Sequence, residues 1–197
     1  MYKVVLASNS PRRKEILARV GIEFVVIPSN VEEIITKTKP DEIVKELSYI
    51  KAMDVSRRVN DQVIIIGADT IVSKDGEILG KPKDEADAKR MLKLIEGSSH
   101  QVYTGVTVII RTRVGEIFED RVVQFAERTE VMVQSLTEKE IDDYIMQKEA
   151  MDKAGAYGIQ GLFAIHITGI SGDYYNVVGF PVSRFYEEMK KCGIDIL

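Results

Sequence analysis

Apolar runs and amphipathic stretches alternate along the chain and predict its elements. An apolar run at 3–7 predicts a strand, a polar loop follows at 8–10, and residues 11–19 predict a helix with proline in its first turn. The most hydrophobic run, residues 63–72, is continuous instead of alternating. It therefore predicts a strand buried on both faces.

The rest of the chain continues this pattern. Further strands are predicted at 23–27, 100–113, 116–134 and 162–168, and further helices at 41–58, 84–96, 137–148 and 182–191. Asp75-Gly76 is typical of a hairpin turn, and residues 176–181 predict a buried segment that ends in a turn. The glycine-rich stretch 154–161 predicts a close-packed loop, which is either a tight turn or the wall of a ligand site.

The first loop has the chemistry of a phosphate site. Ser10 is a good N-cap, so the helix N-terminus is predicted to present free backbone N–H groups beside the hydroxyl of Ser8 and the guanidiniums of Arg12 and Arg13. Guanidiniums match phosphate oxygens with two parallel donors. The alternative is an ordinary capped helix whose arginines point into solvent.

Asp69 lies in the middle of the most apolar predicted strand. A carboxylate there is costly unless it is paired, hydrogen-bonded or bound to a metal, which makes it a candidate functional group. Gly67 and Ala68 just before it would let a ligand or another backbone segment approach closely. A core aspartate held by backbone N–H groups is the alternative.

Composition narrows the function classes. A net charge of -4 disfavours a protein that coats nucleic acid, so an anion must be bound by local charge. Apolar runs are too short for a membrane span, and the sequence predicts a soluble, cytoplasmic protein. One cysteine and two histidines leave no thiolate or multi-histidine metal site. A metal would be a hard cation held by carboxylates, which indicates Mg²⁺ or Mn²⁺.

Charged and polar residues of the loops suit a polyphosphate. They are Ser8, Arg12, Arg13, Glu32, Glu33, Lys51, Asp69, Lys81 and Gln160. Arginine and lysine offset phosphate charge, while acids hold a divalent metal that bridges phosphate oxygens. Tyr157 and Gln160 of the glycine loop are predicted to offer a stacking face and an amide edge to a base. Neither a P-loop nor a dinucleotide-binding signature is present in the sequence.

Seven motifs in order along the chain resemble the Maf family of nucleoside triphosphate pyrophosphatases, also called septum-formation inhibitors. They are LASNSPRR at 6–13, Lys51-Ala52, GADTIV at 67–72, GKP at 80–82, HQVYTGV at 100–106, DKAGAYGIQG at 152–161 and NVVGFPV at 176–182. Asn9 and Phe180 depart from the family pattern, which commonly has glycine and leucine there.

This resemblance implies a fold and an activity. The fold is an α/β single domain over residues 1–197, with an elongated, mixed, twisted sheet flanked by helices and a cleft between two lobes, as in inosine triphosphatases. The activity is metal-dependent hydrolysis of dTTP and UTP to monophosphate and pyrophosphate, with CTP or modified pyrimidine nucleotides as further candidate substrates. It is a house-cleaning of nucleotide pools with a link to cell-division arrest. The resemblance is compatible with a homodimer, whereas no membrane or stable nucleic-acid partner is implied.

Site residues follow from the resemblance position by position. Asp69 is the expected catalytic acid, as general base or metal ligand, and Glu32 or Glu33 a further acid near the metal. The expected substrate-binding residues are Ser8, Arg12, Arg13, Lys51 and Lys81, and the expected specificity residues are Arg12, Thr70 and Gln160. Two alternatives stay open: a 7-methyl-GTP pyrophosphatase, and a noncatalytic nucleotide-binding regulator of septum formation.

Overall fold

The computed structural model describes residues 2–197, and Met1, where the predicted domain begins, lies outside the described residues. The strands are β1 (Lys3–Leu6), β2 (Val25–Val26), β3 (Val63–Lys74), β4 (Glu77–Leu79), β5 (Ser99–Val114), β6 (Ile117–Val133) and β7 (Ile167–Ser171). The helices are α1 (Pro11–Arg19), α2 (Pro40–Ser56), α3 (Glu85–Ile95), α4 (Glu138–Met146), α5 (Tyr174–Val178) and α6 (Val182–Lys191).

The strands form one mixed sheet. Its order is β2-β1-β3-β5-β6-β7, and β4 pairs with β3 off this path. Strand β1 pairs in parallel with β2 and β3, whereas the β3–β4 and β6–β7 pairs are antiparallel. The predicted mixed α/β class is confirmed.

The chain divides into two compact units. The first comprises the residues up to Asp69, Thr104–Glu127 and Gly179–Leu197, and the second comprises Thr70–Tyr103 and Arg128–Val178. Three strands, β3, β5 and β6, contribute residues to both units. A single domain over residues 1–197 stays a prediction.

The core of the first unit explains where Asp69 lies. Residues 63–68 of β3 are all buried, as the continuous β-branched run predicts, and exposure begins only at Asp69 and Thr70. Val5 and Ala7 pack with Val63 and Ile65 against Ala52 and its neighbours on α2. The carboxylate of Asp69 therefore stands where the strand leaves the core.

Local sequence signals account for the elements of the second unit. Asp75 and Gly76 have positive φ angles of 50° and 84° in the β3–β4 turn. The side chain of Asp84 caps α3, and Thr137 with Glu140 forms the predicted capping box of α4. These helices bury their apolar faces in one hydrophobic cluster with the ends of the neighbouring strands.

The predicted strand 162–168 is wrong over most of its length. Residues 162–166 form a 3-10 helix instead of a strand, and extended structure begins only at Ile167. The predicted buried segment 176–181 is confirmed: all of its residues except Val177 are buried, Gly179 lies in a turn, and the segment begins inside the short helix α5 (Tyr174–Val178). Strand β2 covers two residues of the predicted 23–27. Across residues 2–197, no helix has the length and apolarity needed to span a membrane.

Candidate active site

The loop before α1 is organised by Ser8. Its hydroxyl oxygen accepts hydrogen bonds from the backbone N–H of Ser10 at 3.2 Å and from Nη1 of Arg13 at 3.0 Å. Ser10 occupies the N-cap position, but its side chain makes no capping hydrogen bond. The first-turn N–H groups of α1 are thus not capped by Ser10, a difference from the sequence prediction.

Arg13 is a buried arginine that points into the first unit. Its Nε donates to the backbone oxygen of Gly179 at 2.9 Å, which fixes the guanidinium from a distant part of the chain. Burial lowers the pKa of Arg13 and the charge of Arg12 acts in the same direction, whereas the carboxylates of Asp69 and Glu33 raise it. Arginine stays protonated nonetheless. A fixed positive charge therefore lies within electrostatic reach of both acids.

Lys51 bridges two acids. Its Nζ lies 2.5 Å from Oδ1 of Asp69 and 2.8 Å from Oε1 of Glu33. The side chains of Lys51 and Asp69 are each 14% exposed, so solvent screens this pair less than a surface pair. The alternative of a core aspartate held only by backbone N–H groups is wrong, because the partner of Asp69 is a lysine side chain.

Gly67 allows α2 to approach β3 closely enough to form this pair. A Cβ at Gly67 would lie 2.3 Å from the backbone oxygen of Ser48 and 2.8 Å from the backbone nitrogen of Ala52. These two residues flank Lys51 on α2. The group that approaches Gly67 is thus the backbone of a helix, one of the two possibilities raised by the sequence.

The adjacent acids Glu32 and Glu33 differ in their contact with Lys51. Both are exposed, and it is the carboxylate of Glu33 that reaches the Lys51 ammonium. Within residues 2–197, no three His, Cys, Asp or Glu side chains form a preformed metal-binding group. Asp69 and Glu33 nevertheless place two carboxylate groups on one ammonium, and carboxylate oxygens are the donors that Mg²⁺ and Mn²⁺ prefer.

The remaining predicted site residues belong to the second unit. Thr70 directly follows Asp69 in β3 and is half-buried. Lys81 is exposed between Gly80 and Pro82, after β4. Gln160 is exposed in a turn of the glycine loop. The first unit brings together Ser8, Arg12, Arg13, Glu33, Lys51 and Asp69.

Tyr157 is a core residue, so the predicted stacking face is wrong. It is 5% exposed, and its hydroxyl lies 2.8 Å from Nε2 of His100, which is fully buried. Phe163 packs against the tyrosine ring with a centroid distance of 5.1 Å. Tyr157 thereby anchors the glycine loop to the core of the second unit.

His100 is expected to make stability depend on pH. Burial lowers the pKa of His100 to about 4, and the charge of Lys74 acts in the same direction. In the unfolded chain the pKa of histidine is ~6.5. The contribution of neutral His100 to the free energy of unfolding is therefore fully present above that pH, and it is lost as the pH falls toward the pKa of His100 in the folded protein. The contribution of His100 to the free energy of unfolding should fall by about 2 kcal/mol between pH 7 and pH 5. Urea unfolding of the wild type and His100→Gln at both pH values isolates this term, and identical pH dependence would contradict it.

Sequence reasoning missed several groups that hold these loops. The carbonyl of Gly179 fixes Arg13, and backbone atoms carry no residue-type signal. Tyr144 and Glu149 contact the glycine loop by hydrogen bonds to Gly158 and Leu162. A polar residue just before a glycine-rich stretch is the only signal that Glu149 offered.

Comparison with known proteins places the chain in a family. Residues 3–192 match the family described as Maf-like protein. The dTTP/UTP pyrophosphatase of Lachnoclostridium phytofermentans is 57% identical over 197 residues, which cover 100% of this chain and 98% of that protein. Proteins of the same name from Agathobacter rectalis and Bacillus cereus are 51% and 50% identical over 208 and 197 residues, covering 100% of this chain and 100% and 98% of theirs.

A solved structure of a HAM1 protein from Coxiella burnetii is 13% identical, covers 64% of this chain and 72% of that one, and has a TM-score of 0.39. The family match spans nearly the whole chain, and the relatives align over 98–100% of their lengths. The chain belongs to the Maf-like protein family.

Proposed function

We propose that this chain is a nucleoside triphosphate pyrophosphatase that hydrolyses dTTP and UTP to the monophosphate and pyrophosphate. Family membership and the name shared by its relatives support this. The observation that carries the proposal is the charge arrangement of the first unit. Asp69 is paired with Lys51 at the point where β3 leaves the core, and the buried guanidinium of Arg13 acts on the same carboxylate.

The cations of the first unit suit the phosphates of such a substrate. Ser8, Arg12 and Arg13 are assigned to phosphate oxygens, with Ser8 and Gly179 fixing the orientation of the Arg13 guanidinium beforehand. A donor fixed in advance loses little freedom when the substrate binds. Lys51 and Lys81 complete the proposed substrate-binding set. As charge develops on the departing pyrophosphate, these cations stabilise it.

Asp69 is assigned to the attacking water. Water attacks the α-phosphorus in line, the bond from that phosphorus to the bridging oxygen of the β-phosphate breaks, and pyrophosphate leaves. Asp69 orients the water and accepts its proton. Lys51 holds the carboxylate in place through its 2.5 Å contact.

Glu32, Glu33 and Asp69 are the proposed holders of a divalent metal. The acid pair on Lys51 fits this role, since a second cation would find two carboxylate groups close together. Bound Mg²⁺ or Mn²⁺ would offset phosphate charge and polarise the phosphoryl oxygens.

Arg12, Thr70 and Gln160 are assigned to substrate specificity. We expect Gln160→Ala to weaken discrimination between UTP and CTP about tenfold, because the loss of one amide hydrogen bond to a base, at about 1.4 kcal/mol, corresponds to a factor of ten. Binding of the phosphates should be largely retained. Steady-state kcat/KM for UTP, dTTP, CTP and GTP measures the effect, and unchanged relative rates would contradict this assignment.

A pyrophosphate-release assay tests the proposed function directly. The purified protein is incubated with Mg²⁺ and each of dTTP, UTP, CTP, GTP and 7-methyl-GTP, and inorganic pyrophosphatase with malachite green reports the product. Fast release from dTTP and UTP is expected. Release confined to 7-methyl-GTP, or tight nucleotide binding without release, would overturn the proposal.

Two further parts of the proposal concern assembly and location. The protein is proposed to form a homodimer, which sedimentation of the same sample tests, and to be located in the cytoplasm.

A further inference from the structure

The loop that carries Gln160 is a tight turn with defined ends. The backbone N–H of Gly161 donates to the oxygen of Gly158 at 3.2 Å, which places Ile159 and Gln160 at the two central positions. Gln160 is exposed, whereas the residues just before the turn, Ala156 and Tyr157, are buried. The orientation of the Gln160 amide therefore depends on what holds the ends of this turn.

One carboxylate holds both ends. Glu149 accepts a hydrogen bond from the backbone N–H of Leu162 at 2.9 Å, on the C-terminal side of Gln160. On the N-terminal side, Gly158 N–H donates to the Tyr144 hydroxyl at 3.3 Å. That hydroxyl donates to Oε1 of Glu149, also at 3.3 Å. The relay thus links the backbone before and after Gln160 through two side chains.

The glycines of the turn make room for this carboxylate. A Cβ at Gly161 would lie 1.9 Å from Oε1 of Glu149, although the Gly161 backbone has a negative φ of -106° that other residues adopt. A Cβ at Gly158 would lie 2.6 Å from Cε of Lys153, whose ammonium donates to the backbone oxygen of Glu149 at 2.7 Å. Contact with Glu149, and not backbone strain, therefore requires glycine at 161.

Tyr144 is well suited to its place in the relay. It is 5% exposed and packs against Phe163, with ring centroids 5.1 Å apart. Burial and the negative charge of Glu149 raise the pKa of Tyr144, so its hydroxyl stays protonated and can donate to the carboxylate. The capping box of α4 fixes the helix from which Tyr144 projects.

We propose that Glu149 is a positioning residue for base discrimination, which holds the Gln160 turn in one orientation through Leu162 and Tyr144. This inference rests on the proposed function and on the assignment of Gln160 to the base. Glu149 contacts the loop, and it is assigned no contact with the substrate. Its loss should therefore alter the choice among nucleotides more than the hydrolytic step.

Glu149→Ala tests the proposal through substrate ratios. We expect the UTP to CTP ratio of kcat/KM to fall about tenfold, mainly through a higher KM for UTP, because a displaced recognition group loses its alignment. The kcat for UTP should change by less than about threefold. Glu149→Gln keeps an oxygen that accepts from Leu162 and should stay within about threefold of the wild-type ratio. The exposed Glu187→Ala is the control for loss of one acidic charge.

Gly161→Ala provides a second variant that keeps the carboxylate. Its Cβ displaces Glu149, so it should lower the UTP to CTP ratio as Glu149→Ala does. In the Glu149→Ala background the clash is absent, and adding Gly161→Ala should change the ratio by less than about twofold. This non-additivity is specific to a contact between the two residues. Should Glu149→Ala not fold, Gly161→Ala and Glu149→Gln still decide the question.

The outcomes separate this inference from the proposed function. A wild-type protein that releases no pyrophosphate from dTTP and UTP overturns the proposed function, and the inference with it. A wild-type protein that discriminates, with folded Glu149→Ala and Gly161→Ala variants that keep the ratio, overturns the inference alone. The inference also fails if both variants lower kcat equally for all nucleotides, because the role of Glu149 is then merely structural.

Discussion

Asp69→Asn is expected to lower turnover of UTP at least ~10²-fold, a loss of about 2.7 kcal/mol of transition-state stabilisation. Asparagine has the shape of aspartate but cannot accept the proton of the attacking water. The fold should persist, since Lys51 keeps Glu33 as a partner at 2.8 Å and is not left as an unpaired charge. Steady-state kcat with saturating UTP and Mg²⁺ measures the first effect, and thermal unfolding the second.

Asp61→Asn is the matched control for this variant. Asp61 is exposed in the same unit, and its side chain accepts from the backbone N–H of Gln62, a bond that an asparagine oxygen also makes. Its turnover should stay within about twofold of the wild type. A folded Asp69→Asn protein whose kcat lies within about fivefold of the wild type would refute the role of Asp69.

The sequence predicted the pairing of Asp69 in kind but not its partner. A carboxylate inside a continuous apolar run must be paired, hydrogen-bonded or bound to a metal. The position of Asp69 in such a run therefore predicts that a partner exists. The partner is Lys51, on the edge of the apolar stripe of α2 and 18 positions away in sequence. The sequence does not give the distance between α2 and β3, and this distance decides whether a lysine at that position reaches solvent or an acid on the strand.

Segment 162–168 was misassigned because an apolar run of this length is compatible with more than one structure. Phe163 and His166 are buried at 1% and 7% exposure, whereas Leu162 and Ile165 are exposed. Spacing of three residues between buried positions is that of a 3-10 helix. The turn at Gly161 starts it, since Ala164 N–H donates to the oxygen of Gly161.

Tertiary hydrogen bonds explain the burial of two further residues. The Asn176 amide of α5 donates to the backbone oxygen of Val102 and to the hydroxyl of Thr129, partners that are remote in sequence. Tyr157 similarly turns inward to His100. An aromatic residue among glycines has the same sequence pattern whether it faces a ligand or the core, so its burial could not be predicted.

Gly67→Ala is expected to lower the free energy of unfolding by about 3 kcal/mol. The new Cβ meets backbone atoms of Ser48 and Ala52, which cannot rotate away as a side chain would. Relief requires α2 to move from β3, and that movement carries Lys51 away from Asp69. A tenfold or larger loss of turnover should therefore accompany the loss of stability, at about 1.4 kcal/mol for each factor of ten.

Gly105→Ala is the comparison that separates the two effects. A Cβ at Gly105 would lie 2.2 Å from the backbone oxygen of Val44, on the same helix but nearly two turns before Lys51. Both variants should be destabilised to a similar extent in urea, because each forces a backbone contact apart. Turnover of the folded fraction should fall more in Gly67→Ala, whose contact flanks Lys51. Equal losses of turnover would show that the spacing between α2 and β3 at Gly67 has no particular role in placing Lys51. A Gly67→Ala protein whose free energy of unfolding lies within about 1 kcal/mol of the wild type would contradict the close packing at Gly67.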